Sequence, residues 1–161
     1  MNAKKFNKEN NTREPRWVRW GKPPEGHFTL NTNGACSRSS GTTGVGGMIK
    51  NEKGEWITVA KSLKLRNLIM EMDSREAIGA LQDEGLEDPQ QRTIVEECRN
   101  IMQEIGEKEI KHILTENNRC ADWLAKLAIS DEEGEGDFPE PPANIRQLLD
   151  SDRKEEETLR M

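Results

Sequence analysis

Four residues of this chain have types and positions that could do chemistry together. Asn33 closes an alternating apolar–polar run, Asp73 closes a second apolar run, and His112 stands ten residues before Asp122. Carboxylates carried by separate elements to one end of a fold supply the hard oxygen ligands that divalent cations take. Two such ions can hold both the attacking and the leaving oxygen of a phosphodiester. Each residue also has a plainer reading. An aspartate before a helix-capping serine is commonly a solvated turn residue, and a lone histidine is more often structural than catalytic. The chemistry therefore depends on which elements carry these side chains.

Phe28, Leu30 and Thr32 alternate with Thr29, Asn31 and Asn33, the period of a strand, which reads as buried and delivers Asn33 to its end. A glycine-rich run from Gly41 to Gly47 reads as a sharp hairpin into a second strand, Val45 to Lys50. Gly44 to Gly47 is no phosphate loop, since it lacks the lysine and hydroxyl of that motif and the helix that should follow. Asn51 to Gly54 is a turn signal, and Glu55 to Ala60 is a third strand rich in β-branched and aromatic residues. Leu68 to Ser74 is apolar at nearly every position up to an acidic tip, the pattern of a strand covered on both faces.

Ser74 is a good N-cap for a helix with Ala77, Ile78 and Leu81 on one side. Residues 91–105 form the clearest helix, with Ile94, Val95, Cys98, Ile101, Met102 and Ile105 on one face. Gly106 stops it. Glu109 to Leu114 is a fifth strand carrying His112. Asn117-Asn118 opens a last helix, with Ala121, Leu124, Ala125 and Ala128 inward, ending near Ser130.

Composition sets the frame. Charged residues (34%) outnumber hydrophobic ones (32%), so a core forms only where the apolar residues cluster, in the middle of the 161 residues. Residues 1–22 carry seven basic and two acidic residues and read as a basic, disordered arm and linker. Residues 23–130 are the domain. Residues 131–161 carry eleven acidic and four basic residues and read as an acidic, largely disordered tail with a possible short helix, Ile145 to Leu149. Arg16, Trp17, Arg19 and Trp20 interleave basic and aromatic side chains, a combination that could stack on single-stranded nucleic acid. The alternative is a linker whose tryptophans tuck against the domain edge. An acidic chain repels phosphates unless metal ions or a local basic patch intervene. Cys36, Cys98 and Cys120 have neither CxxC nor Cys/His ligand spacing, so reduced thiols in an intracellular, nuclear or cytoplasmic, protein are expected. No stretch suits a membrane span or a signal peptide.

Leu30-Asn31-Thr32-Asn33-Gly34-Ala35, Glu71-Met72-Asp73-Ser74, and His112 followed by Glu116-Asn117-Asn118-Arg119-Cys120-Ala121-Asp122-Trp123-Leu124-Ala125 together resemble the ribonuclease H domain. They most resemble the reverse-transcriptase-like version of plant retroelements and their domesticated relatives. The resemblance covers about residues 17–150, with flanks (Trp20 to Pro24; Pro141-Pro142 and Leu148-Leu149) that also match. It implies an α/β fold: a mixed five-stranded sheet of order 3-2-1-4-5 with helices on both faces. It implies hydrolysis of the RNA strand of an RNA–DNA hybrid, with Mg2+ or Mn2+ held by four carboxylates. Asp73 and Asp122 match two of those metal ligands, His112 matches a histidine that assists product departure, and Asn118 matches a family asparagine that bears on nucleic-acid binding.

Two departures bear on activity. Asn33 stands where the family has its first catalytic aspartate, and the helix between the third and fourth strands, with its glutamate, is missing. Glu71 is no replacement, since it lies on the strand two residues before Asp73. The charge of the metal ligands falls from about −4 to about −2, and affinity follows ligand charge. The deletion also constrains geometry. Parallel strands three places apart need a crossing of roughly 22 Å, from ~14 Å sideways and ~17 Å along the strand. The link Lys61 to Asn67 reaches at most about 23–25 Å. The third strand is therefore expected to shorten or fray, and one sheet face to be poorly covered. The expected function is nucleic-acid binding by a monomeric ribonuclease H-like domain with impaired catalysis. The alternative is a retroelement-derived remnant or interaction module without hydrolase activity.

Overall fold

The computed structural model describes residues 14–57, 66–82, 89–105, 109–130, 136 and 138–160. Among the described residues the strands are β1 (Arg16–Val18), β2 (Phe28–Cys36), β3 (Thr43–Asn51), β4 (Trp56–Ile57), β5 (Leu68–Met72), β6 (Glu109–His112) and β7 (Thr158–Arg160). The α-helices among them are α1 (Arg75–Gln82), α2 (Pro89–Ile105), α3 (Arg119–Ser130) and α4 (Ala143–Arg153). The main sheet runs β4-β3-β2-β5-β6, the expected order with the five strands of the sequence reading as β2 to β6. β2, β3 and β4 are antiparallel neighbours, and β5 and β6 run parallel to β2. β1 and β7 pair separately as a two-stranded antiparallel ribbon.

The alternation along β2 is real, but the burial is inverted. Thr29 and Asn31 are buried, while Phe28, Leu30 and Thr32 are half-buried. The reason is the helices over the first face. Met48, paired with Asn31, joins Cys120 and Leu124 of α3 and Ile145 and Leu149 of α4 in the core cluster. The polar residues beneath these helices are satisfied by side-chain partners rather than avoided. Asn31 donates to Glu71 at 2.7 Å, and Glu71 is buried.

The glycines correct one expectation. The reversal between β2 and β3 lies at Ser37 to Thr42, where Ser37 N–H donates to the Thr42 carbonyl. Gly44 and Gly46 lie inside β3, not at the turn. A Cβ on Gly46 would sit 2.6 Å from Leu124 Cβ and 2.7 Å from the Ala121 carbonyl oxygen, and one on Gly44 would press on Ile129. The glycines let α3 lie directly on the sheet.

The reading of residues 131–161 as a largely disordered tail is also corrected. α4 has Ile145 fully buried and Leu149 at 5% exposure, and β7 pairs residue by residue with β1. The short helix expected at Ile145 to Leu149 is present but longer, and its apolar stripe reaches the core. The first 22 residues are likewise not wholly an arm. Arg16–Val18 is a strand, and Trp20 is buried at 2% exposure.

Both flanks meet on one buried side chain. Lys50 is 1% exposed, its Nζ lies 2.8 Å from Asp152 Oδ2 of α4, and it stands 3.6 Å from the centre of the Trp20 ring. Residues 58–65, where the short crossing and the expected fraying of the third strand fall, lie outside the described residues. No helix among the described residues is long and apolar enough to cross a membrane.

Candidate functional site

The carboxyl ends of three parallel strands form the rim of the site. Thr32 pairs with Met72, and Met72 with His112. The residues that follow, Asn33, Asp73 and Ile113, therefore stand side by side; β5 and β6 end there, whereas β2 continues past Asn33 to Cys36, so Asn33 does not close its strand as expected. Open α/β sheets place their ligands outside such ends.

α3 brings Asp122 to this rim, and Asn118 fixes its position. The Asn118 Nδ2 donates to the Thr32 carbonyl at 2.9 Å, and the Asn118 carbonyl accepts the Asp122 N–H at 3.0 Å. One residue thus ties the end of β2 to the first turn of α3. At 2% exposure, Asn118 is a positioning residue and presents little of itself to a ligand.

Asn33 and Asp122 meet directly. The Asn33 Nδ2 donates to Asp122 Oδ1 at 3.3 Å, and the Asn33 Oδ1 accepts the Gly34 N–H at 2.9 Å. The second carboxylate oxygen, Asp122 Oδ2, takes the Lys126 ammonium at 2.6 Å. Each oxygen of the pair has a donor from the protein. Lys126 is 66% exposed, and an exposed i,i+4 pair contributes only about 0.3–0.5 kcal/mol. The lysine alone would not keep a divalent cation away. The shortage of carboxylates is the stronger obstacle.

Asp73 and His112 share a cleft on this rim. Both line a cleft of about 820 Å³ between the strand ends and the β1–β7 ribbon. Of the four residues of the sequence reading, Asn33 and Asp122 are hydrogen-bonded to each other, and Asp73 and His112 line the cleft. Among the described residues, no three His, Cys, Asp or Glu side chains gather closely enough to hold a metal ion. The donor set does not fit the two-ion centre that the sequence reading associates with this fold.

The proposed nucleic-acid contacts also divide. Trp17 is 62% exposed, but Trp20 donates its Nε1–H to Glu71 Oε2 at 2.8 Å beneath the surface and has no face to stack with. That expectation is corrected: Trp20 anchors the chain, satisfying a buried carboxylate that also faces Lys111 at 4.0 Å. Arg16 is exposed, and Arg19 is exposed but paired with Glu155 at 3.6 Å. Lys126 was open to sequence reasoning by its i,i+4 spacing from Asp122. Arg75 and Arg160, which also line the cleft, carried no such signal.

Cys120 sits behind the site with its Sγ 4.0 Å from Asp152. Burial, and then the Asp152 charge, push its thiol up to about 12, so it stays protonated and is no nucleophile at neutral pH.

A family model described as reverse transcriptase-like matches residues 57–128. A protein of Arabidopsis thaliana, named provisionally as a ribonuclease H protein, is 26% identical over 87% of this chain. The chain spans 26% of that relative's length. Two solved structures share the fold. Both are of LC11-RNase H1, isolated from compost by a metagenomic approach. One superposes with a TM-score of 0.54 at 19% identity, over 65% of this chain and 96% of the other. The second, in complex with RNA/DNA hybrid, gives 0.56 at 18% identity, over 65% and 97%.

Proposed function

We propose that this ribonuclease H-like domain binds RNA–DNA hybrids and hydrolyses them no faster than background. The observation that carries the second half is the Asn33–Asp122 hydrogen bond. An aspartate at position 33 could accept from solvent or a cation but could not donate to Asp122. The asparagine instead turns two potential metal ligands into a donor and an acceptor that satisfy one another. With Lys126 on the remaining oxygen, the pair is complete without an ion.

Support for the first half is the relatedness to hybrid-cleaving ribonucleases carried by the fold and the matched names. One observation favours a second reading, an interaction module that binds no nucleic acid. The chain has a net charge of −6, which opposes association with phosphates.

Incubation of the full chain with a labelled RNA–DNA hybrid, in Mg2+ and in Mn2+, tests both halves when binding is followed by fluorescence anisotropy. Binding without cleavage is expected. Asn33→Asp should not restore cleavage, because it adds one carboxylate to a site that lacks two. Cleavage by the native chain that disappears in Asp73→Asn would show a working site and overturn the reading. Absence of any hybrid binding would favour the interaction module.

A further inference from the structure

The cleft that holds Asp73 and His112 has a second property. Three arginines from three different elements line it: Arg16 of β1, Arg75 at the start of α1 and Arg160 of β7. Arg16 and Arg160 are direct cross-strand partners in the ribbon, so their side chains share a face. Like charges placed directly opposite destabilise a pair of strands. Arg160 is partly offset by Glu116, with Nε 3.8 Å from Oε1. Arg16 and Arg75 have no ion-pair partner among the described residues. Arginines that line a cavity without an ion-pair partner leave their guanidinium groups available to an anion.

We propose that this cleft binds the phosphodiester backbone of a single nucleic-acid strand, clamped by Arg16, Arg75 and Arg160. The guanidinium fork matches phosphate oxygens two at a time. Glu14, Asp73 and Glu76 line the same cleft, so its formal charge is balanced. That balance selects for ligand type. A diester strand brings one charge per nucleotide, which the forks can meet singly, whereas a polyphosphate would crowd several charges against the three carboxylates. The volume selects as well. At about 820 Å³ the cleft lies in the range of small-molecule sites, about 300–1,000 Å³, a volume that suits a nucleotide or two of one strand. The proposal deepens the reading above, in that a hybrid bound along the rim would leave its single-stranded extension in the cleft.

The test compares the intact chain with Arg16→Gln/Arg160→Gln, with Arg75→Gln, and with Arg146→Gln as a control on α4 outside the cleft. Probes are a labelled single-stranded RNA of twelve nucleotides and a blunt RNA–DNA hybrid of the same length. Binding is measured across a salt series. The slope of log affinity against log salt for the single strand should shrink by about 0.7 for each cleft arginine removed, with the control unchanged. Thermal melting of each variant reports folding. Relief of the Arg16–Arg160 repulsion should leave the double variant as stable as the parent, and Arg75→Gln supplies the same readout without touching the ribbon. Single-strand binding with an unaltered slope in both variants, or no single-strand binding at all, would overturn the clamp even if the blunt hybrid still binds. Arginine-dependent binding of the strand with no binding of the hybrid would keep the clamp and remove the hybrid from the proposed function.

Discussion

An oxygen exchanged for an NH2 group separates Asn33 from the aspartate that the resemblance expects, and that exchange creates a hydrogen bond to Asp122 that two carboxylates could not make. The neighbouring thiol shows the same dependence of chemistry on surroundings. Cys120 is held protonated by burial and by Asp152, whereas Cys36 and Cys98 are exposed. Native alkylation followed by mass spectrometry should therefore modify Cys36 and Cys98 and spare Cys120. The pH dependence follows with a definite sign. The unfolded thiol ionises near its ordinary 9.0 and the folded one near about 12, so the folded state binds more protons between them. Stability from this group is complete below pH 9 and is lost as pH rises from 9 towards 12. Denaturant titrations of the native chain and of Cys120→Ala should diverge in slope over that window; parallel pH profiles would refute the assignment. At this scale the sequence drew attention to Asn33, Asp73, His112 and Asp122 because each closes or follows a periodic run. It could not tell Trp17 from Trp20. The two differ only through a carboxylate 51 residues away from Trp20 in the chain, and no local pattern encodes that.

Periodicity exposed most of the elements for a physical reason: each is amphipathic in its own right. The helix read at 91–105 is Pro89–Ile105, and the last domain helix ends at Ser130 as expected. α4 was read only as a short helix, Ile145 to Leu149, inside a tail, because its surroundings are so acidic that the stripe Ile145, Leu148 and Leu149 did not stand out as a core face. The glycines of β3 were read as a turn because composition alone cannot separate a glycine that bends the chain from one that clears space. Gly46 clears space for α3, and α3 carries Asp122. Gly46→Ala should cost about 1–3 kcal/mol by forcing the helix outward, and thermal melting should show it. Gly79→Ala is the control. It lies in α1, a Cβ there meets nothing within 4 Å, and it should hold or gain stability. Equal melting temperatures for native chain and Gly46→Ala would mean α3 rests less tightly on the sheet than described.

On the scale of the whole molecule, the flanks are part of the fold. Removing residues 143–161 would take Ile145 and Leu149 from the core and leave Lys50 buried without Asp152. Stranding one partner of a buried pair costs about 3–5 kcal/mol, against a total of roughly 5–15 kcal/mol for a typical domain. The shortened chain should lose its cooperative melting transition, and Lys50→Met in the same background should recover part of it. A truncated chain that melts like the parent would return α4 to the status of a tail. The ribbon of β1 and β7 has a consequence of another kind. Arg16 and Arg160 face each other at one end of it, so the chain enters and leaves the domain at a single point. Tension along a longer polypeptide would load the ribbon one residue pair at a time, as a zipper opens, and not along its length in shear. The ribbon should therefore yield at low force and release its two strands before the main sheet feels any load.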